Sequence, residues 1–180
     1  TFTRASGGTA LRKISYGSEL VTNGDFATDI SGWQSSHGTS AHEFDNGTIK
    51  LDHTAYNQWS MQVISGLVVG NTYQVKFSVT NDTQGGGGGS MVGMWENNSD
   101  YSDFSRFYYT RGAVETYTFD FTAIATTSQI RLYKGGNTGA TNFDNVSVKE
   151  VLFDQADGTL QLWNHSNNEP RIEYDATGAV

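Results

Sequence analysis

Apolar and polar residues alternate with a period of two over several short stretches, the pattern of half-buried β-strands. The alternation is clearest over 72–79, where Tyr73, Val75 and Phe77 share one face. The predicted strands are Glu19–Thr22, Ala41–Asp45, Thr48–Asp52, Gln58–Ile64, Thr72–Val79, Met91–Trp95, Phe104–Tyr109, Glu115–Phe121, Gln129–Tyr133 and Asn142–Val148. They recur about every 8–12 residues, which is typical of a sandwich or barrel. The pattern predicts an all-β fold.

Two local signals add detail to this prediction. Asn46-Gly47 separates two of the predicted strands and indicates a two-residue hairpin, because both central positions of such a turn need a positive φ. Tyr117 and Phe119 continue an apolar stripe along a later strand, and Trp33 follows a glycine after a polar loop. We expect all three aromatic side chains to lie in the core.

The composition excludes several classes of function. Asp and Glu number 19 against 11 Lys and Arg, a net charge of −8, so the clustered cations that nucleic-acid binding needs are missing. There are no cysteines, which excludes disulfides and thiolate chemistry. No apolar run approaches the ~18–20 residues that span a bilayer, so we predict no membrane insertion. No hydrolase, metalloprotease or phosphate-loop motif is present, and we predict that the protein is not an enzyme.

Three segments of distinctive sequence follow one another along the chain, ELVTNGDFATDISGW, VISGLVVGNTYQVKFSV and TNFDNVSVKEV. Together they resemble carbohydrate-binding modules of families 4, 9 and 22. ELVTNGDFATDISGW (19–33) is similar to the opening of those modules, and TNFDNVSVKEV (141–151) to their last strand. VISGLVVGNTYQVKFSV (63–79) resembles an internal pair of strands between them. The resemblance implies an antiparallel β-sandwich of the jelly-roll type, with its first and last strands adjacent.

The two ends of the chain differ from this middle part. TFTRAS at the start and EPRIEYDATGAV at the end resemble segments that bracket such modules in tail and fibre proteins of marine bacteriophages. We therefore expect a module over 18–152, an N-terminal flank of a host structural protein over 1–17, and a C-terminal flank with short strands over 153–180. The host resemblance implies an extracellular or virion-surface location, and a homo-oligomer or larger assembly.

The family resemblance also implies a structural Ca²⁺ that ties the first strand region to the last. The matching positions are Asp25 and Asp144, with a backbone carbonyl near Lys50 completing the set. Calcium accepts such mixed carboxylate and carbonyl ligands. The family has Glu after the Phe of its opening motif, whereas Ala27 stands here, so one carboxylate is lost. The alternative is that both aspartates only cap turns.

The candidate ligand-binding residues are aromatic and polar side chains on or beside the later strands. Flat rings match the apolar C–H faces of sugars, while Arg and amide groups can bind hydroxyls. The candidates are Trp59, Trp95, Tyr56, Tyr101, Arg131 and Tyr133, with Gln129 and Arg106 as further hydrogen-bonding groups. Half-buried packing is the alternative for each single aromatic residue.

The hypothesis is a non-catalytic module that binds a polysaccharide or cell-surface glycan and serves adhesion in a phage tail, fibre or other surface protein. One alternative is a purely structural decoration or assembly domain of a virion or filament. A second is an accessory module of a polysaccharide-degrading enzyme.

Overall fold

The structure is a computed structural model that describes residues 10–11, 14–39, 42–52, 58–85, 90–95, 104–109, 112–153 and 161–162. The strands within these residues are β1 Ala10–Leu11, β2 Ile14–Glu19, β3 Gln34–Thr39, β4 Glu43–Phe44, β5 Ile49–Leu51, β6 Gln58–Ser65, β7 Thr72–Asp82, β8 Ser90–Trp95, β9 Phe104–Tyr109, β10 Thr116–Thr122, β11 Thr127–Lys134, β12 Thr141–Phe153 and β13 Gln161–Leu162. No helix among the described residues is long and apolar enough to cross a membrane.

The chain divides into two compact units, Ser18–Glu150 and a second formed by Thr1–Gly17 with Val151–Val180. In the second unit, β1 and β13 form a two-stranded antiparallel ladder, and the Ser15 hydroxyl donates to the carbonyl of Leu152. The boundaries 18–152 stay a prediction of domain organisation.

Two antiparallel sheets make up the larger unit, which confirms the predicted β-sandwich. One has the order β10-β7-β12-β5-β4, with β2 also paired to β12, and the other has the order β3-β6-β11-β8-β9. We call them the six-stranded and the five-stranded sheet. Side chains of both meet in one core that includes Val75, Phe77, Ile130, Leu132 and Phe143.

The apolar alternation along β7 predicted its core face correctly. Tyr73, Val75, Phe77 and Val79 are all buried. Phe77 packs against Tyr117 and Phe143, with ring centroids 5.4 and 6.4 Å apart. Such tilted aromatic pairs stabilise a core beyond the area that they bury.

The predicted hairpin at Asn46-Gly47 is also confirmed. Asn46 and Gly47 have φ values of 49° and 81°, as both central positions of a type I′ turn require. Asp45 and Thr48 exchange backbone hydrogen bonds across the turn. The hairpin joins β4 to β5 at the edge of the six-stranded sheet.

Within the larger unit, one predicted strand is wrong and one observed strand, β3, was not predicted. The strand expected at Glu19–Thr22 ends at Glu19, because β2 covers Ile14–Glu19 instead. The Glu19 carboxylate then accepts the backbone N–H groups of Leu20 and Val21 and turns the chain into a loop. β3 was missed because its sequence, QSSHGT, has no apolar alternation.

The loop 20–33 is closed by side chains from within and from the sheet beneath it. Gln62 binds both backbone groups of Thr22, accepting from its N–H at 2.7 Å and donating to its carbonyl at 2.8 Å. Phe26 and Trp33 are buried against each other, with centroids 5.4 Å apart, and the Trp33 indole donates to the carbonyl of Asn23. The expectation that Trp33 lies in the core is confirmed.

A polar side chain of the buried face of β6 pairs with His42. The Nδ1 atom of His42 lies 2.7 Å from the hydroxyl of the buried Ser60. Burial lowers the pKa of His42 below its ordinary value of 6.5. The folded protein therefore favours neutral His42, and the unfolded chain binds the proton more readily.

This contact predicts an acid sensitivity of the fold. As the pH falls from about 7.5 to about 5.5 the unfolded state binds more protons than the folded state, so the free energy of unfolding decreases. Urea unfolding at both pH values measures this decrease. His42→Gln, which keeps a hydrogen-bonding group towards Ser60, should show a smaller decrease than the native chain. Equal decreases in the two proteins would remove His42 as the cause.

Candidate functional site

The outer face of the five-stranded sheet gathers most of the predicted binding residues. Along β11, Ile130 and Leu132 are fully buried, while Gln129, Arg131 and Tyr133 alternate with them and are only half-buried. β11 is the central strand of this sheet, between β6 and β8. Its outward side chains therefore lie in the middle of this outer face.

The strand register places one tryptophan on each side of β11. Trp59 of β6 lies opposite Tyr133, and Trp95 of β8 lies opposite Gln129. The two indoles are thus diagonal to each other, with Arg131 between them along β11. Gly93 lies opposite Arg131 on β8 and contributes no side chain to this part of the face.

The guanidinium of Arg131 contacts both tryptophans. Its central carbon lies 4.7 Å from the ring centroid of Trp59 and 4.7 Å from that of Trp95, over each ring. Both distances are within the range of a cation–π interaction. The Nε and Nη2 atoms of Arg131 donate to the side-chain oxygen of Gln129 at 3.1 and 2.7 Å. We call Trp59, Arg131, Trp95 and Gln129 the tryptophan–arginine stack.

The two tryptophans differ in exposure. Trp59 is half-buried, whereas Trp95 retains only 4% of its accessible surface although it lies on the outward side of β8. Val63, a further outward residue of β6, is 51% exposed. The solvent-facing part of the stack is therefore mainly that of Trp59 and the polar groups of β11.

β6 has an unusual distribution of polarity. Its buried side is polar, with Gln58, Ser60 and Gln62, and its outward side carries Trp59, Met61 and Val63. Gln62 and Ser60 satisfy their polar atoms through Thr22 and His42, which is how polar residues can be buried at moderate cost. Of the outward side chains, Trp59 and Met61 are half-buried and Val63 is exposed.

Four of the six residues proposed for glycan binding come together on this face: Trp59, Trp95, Arg131 and Tyr133. Tyr56 and Tyr101 lie outside the described residues. Arg106 is on β9 and lies opposite Gly93 of β8. The contribution of Gly93 as a gap beside Arg131 depends on strand register, which the sequence pattern does not fix.

The proposed calcium residues are only partly brought together. Asp25 follows Gly24, whose carbonyl accepts the backbone N–H of Val146 at 2.8 Å, so this loop meets β12 next to Asp144. Burial raises the pKa of Asp144, and the nearby charge of Asp25 raises it further, while the N–H of Asn145 lowers it. The negative charges of Asp25 and Asp144 therefore repel each other.

Lys50 lies further along the six-stranded sheet, opposite Asn142. Its ammonium group is held by Glu43 and Asp52, both at 2.7 Å, and these partners raise its pKa. Among the described residues, no group of three or more acidic, histidine or cysteine side chains is arranged to hold a metal. A calcium ion here would depend on Asp25, Asp144 and backbone carbonyls.

Comparison with known proteins shows which folds are similar but assigns the chain to no family. No family model matches the chain, and no curated protein matches it. Among solved structures, "Family 16 Carbohydrate Binding Module-2" is 14% identical with a TM-score of 0.56, over 72% of this chain and 98% of that one. The second N-terminal cellulose-binding domain of Cellulomonas fimi β-1,4-glucanase C is 20% identical with a TM-score of 0.52, over 74% and 95%.

A third solved structure belongs to a much longer chain. The enzymatically active domain of tailspike protein 4 from bacteriophage CBA120 is 14% identical with a TM-score of 0.55, over 74% of this chain but only 21% of that one. At such identities the similarity establishes a shared fold. The larger unit therefore has the jelly-roll β-sandwich of carbohydrate-binding modules.

Proposed function

We propose that this chain is a non-catalytic module that binds a polysaccharide on the outer face of its five-stranded sheet. The observation that supports it most is the tryptophan–arginine stack, which lies at the centre of the outer face of this sheet and leaves part of Trp59 exposed. Solved structures with this fold include a domain named as cellulose-binding.

The chemistry of the face suits a sugar chain. The exposed part of Trp59 offers an apolar surface for the C–H face of a pyranose ring. Tyr133 lies directly opposite Trp59 across the ladder, and Gln129 is two residues away on the same strand as Arg131. These polar side chains can bind hydroxyl groups beside a stacked ring. One stacked ring and a few hydrogen bonds correspond to affinities in the micromolar to millimolar range, about −8 to −4 kcal/mol.

The described outward positions of β6, β8 and β11 hold no carboxylate. A glycoside hydrolase needs two carboxyl groups about 5–10 Å apart. This part of the face can therefore bind a sugar but cannot by itself cleave one, which supports a binding role. Some proteins that share the fold carry it as one part of a larger chain, so a catalytic neighbour on the parent protein is compatible with the proposal.

Binding of the intact chain to a panel of soluble and insoluble polysaccharides tests this function. The panel includes β-1,4-linked glucans and galactans, xylans and bacterial surface polysaccharides, each measured by affinity electrophoresis or by pull-down. We expect retention by at least one polymer, and release by its soluble oligosaccharide. Lack of retention across the panel at millimolar sugar concentrations would contradict the proposal.

We further propose that the module acts at a virion or cell surface as part of a repeated assembly. Weak single sites gain strength by multivalency, because linking sites makes later binding events intramolecular. The resemblance of the two flanks to phage tail and fibre segments and the similarity of the fold to a part of a tailspike domain support this context. The experiment is light scattering of the intact chain, for which we expect an oligomer.

A purely structural assembly role is the second candidate, and one surface favours it. Val68, Val69 and Ile124 are each more than half exposed. Their loops are tied together, since Gly70 donates to the carbonyl of Ala123 and Ala123 to that of Asn71. If Val68, Val69 and Ile124 are covered in an oligomer that binds no polysaccharide, the structural role is correct and the binding role is wrong.

We also propose that Ca²⁺ joins the loop 20–33 to β12 through Asp25, Asp144 and neighbouring backbone carbonyls, without Lys50. When bound, the ion would supply a cross-link between chain segments far apart in sequence. Saturating Ca²⁺ should raise the melting temperature by about 5 °C over the chelator-treated protein. Asp144→Asn should abolish this increase, and Asp120→Asn, an exposed change on β10 of the same sheet, should preserve it.

Two results would contradict the calcium proposal. A melting temperature of the native chain that Ca²⁺ does not change would exclude the site. An increase that survives Asp144→Asn would place the ion elsewhere.

A further inference from the structure

The position of Arg131 between two tryptophans has a consequence for how a ligand contacts this face. Neighbouring strands lie about 4.8 Å apart, so β6 and β8 are separated by about 10 Å with β11 between them. Without a side chain between them, Trp59 and Trp95 would face an open gap. The guanidinium of Arg131 fills it, 4.7 Å from each ring centroid.

The guanidinium is held in place from a third side. Gln129 accepts two of its N–H groups through one oxygen, at 3.1 and 2.7 Å. Gly93, opposite Arg131 on β8, leaves the space that the arginine side chain crosses. A flat cation that is both stacked and hydrogen-bonded in a fork has a fixed plane, which a lysine cannot reproduce.

The same contact contributes to the burial of Trp95. This residue is on the outward side of a strand, yet only 4% of its surface is accessible. Long arginine side chains can cover apolar surface while their charged end remains polar. Arg131 lies over the ring of Trp95 and covers part of it. Because Arg131 is itself only half-buried, its other side faces solvent.

We infer that Arg131 is a positioning residue of the binding face: it fixes Trp59 and Trp95 as one platform and occupies the space between their inner faces. A sugar ring therefore stacks on the platform from the solvent side, and is not pinched between the two indoles. This inference rests on the proposed function for its ligand, but the arrangement of the two tryptophans can be tested without any ligand.

The ligand-free test is acrylamide quenching of tryptophan fluorescence in a background with both Trp33→Phe and Trp163→Phe, which leaves Trp59 and Trp95 as the emitting tryptophans. Arg131→Ala should increase the quenching constant about twofold, because the cover over Trp95 is removed. Gln129→Ala, which removes two hydrogen bonds of the guanidinium but keeps Arg131, should give a smaller increase. Lys76→Ala removes a cation from the six-stranded sheet and should leave quenching unchanged. Unchanged quenching in Arg131→Ala would overturn the inference.

The second test is the affinity for a polysaccharide that the native chain binds. We expect Arg131→Ala to weaken binding about tenfold and Arg131→Lys about threefold, since lysine restores the charge but not the plane. The melting temperatures of Arg131→Ala, Arg131→Lys and Gln129→Ala serve to exclude loss of folding in each variant. Affinity unchanged in Arg131→Ala would overturn the inference while the proposed function stands. Failure of the native chain to bind any polymer would overturn the proposed function, and quenching would still decide the role of Arg131.

Discussion

Gly24→Ala should destabilise the larger unit by about 3 kcal/mol or more, one of the largest effects expected of a single methyl group. A Cβ atom at this position would lie 1.9 Å from the carbonyl oxygen of Val146 and 2.9 Å from a methyl carbon of Val21. Neither neighbour can move easily. The Gly24 carbonyl accepts the N–H of Val146 at 2.8 Å, so the two backbones are held against each other.

The loss of stability can be measured by urea unfolding against a matched glycine. Gly66 has a φ of 82° and no atom within 4 Å of its added Cβ. Gly66→Ala should therefore cost only about 1 kcal/mol, the strain of a left-handed alanine. If Gly24→Ala and Gly66→Ala lie within about 1 kcal/mol of each other, the close approach of the loop 20–33 to β12 is wrong.

Trp59→Ala should weaken polysaccharide binding about tenfold to a hundredfold, the equivalent of about 1.4–2.7 kcal/mol. The substitution removes the exposed ring of the platform and one of the two rings that contact Arg131. The free energy of unfolding should change less than the free energy of binding. Trp59 is half-buried on the outward side of the five-stranded sheet, whereas the core lies on the opposite side of that sheet.

A second exposed aromatic residue provides the control for this change. Phe44 is 41% exposed and lies on β4 of the six-stranded sheet. Phe44→Ala should leave the affinity unchanged. Similar affinities for Trp59→Ala and the native chain, both still folded, would place the binding site on another surface.

The sequence predicted those parts of the fold in which one side of a strand is apolar. Tyr73, Phe77 and Val79 alternate with polar residues, and burying them selects the register of β7. The Asn46-Gly47 turn was equally predictable, because few residues other than Asn and Gly accept the positive φ values that it needs.

The candidate site could be predicted only in part. Trp59, Trp95 and Arg131 were recognised as chemically suitable residues, but their meeting depends on how β6 and β8 pair with β11. Ordinary polarity would favour an outward Gln62, whereas its amide is buried because the loop at Thr22 supplies its partners. Contacts between residues 40 positions apart leave no periodic signal in the sequence.

The indole N–H signals of the four tryptophans provide the most direct measurement of where a ligand binds. They are recorded in a proton–nitrogen correlation spectrum during titration with a bound oligosaccharide, and assigned through single Trp→Phe substitutions. Trp33, the last residue of the loop 20–33, is buried in the core and serves as the internal reference. We predict that the signals of Trp59 and Trp95 shift in a saturable way while that of Trp33 stays in place. Saturable binding that leaves both Trp59 and Trp95 unshifted would contradict a glycan site on the outer face of the five-stranded sheet.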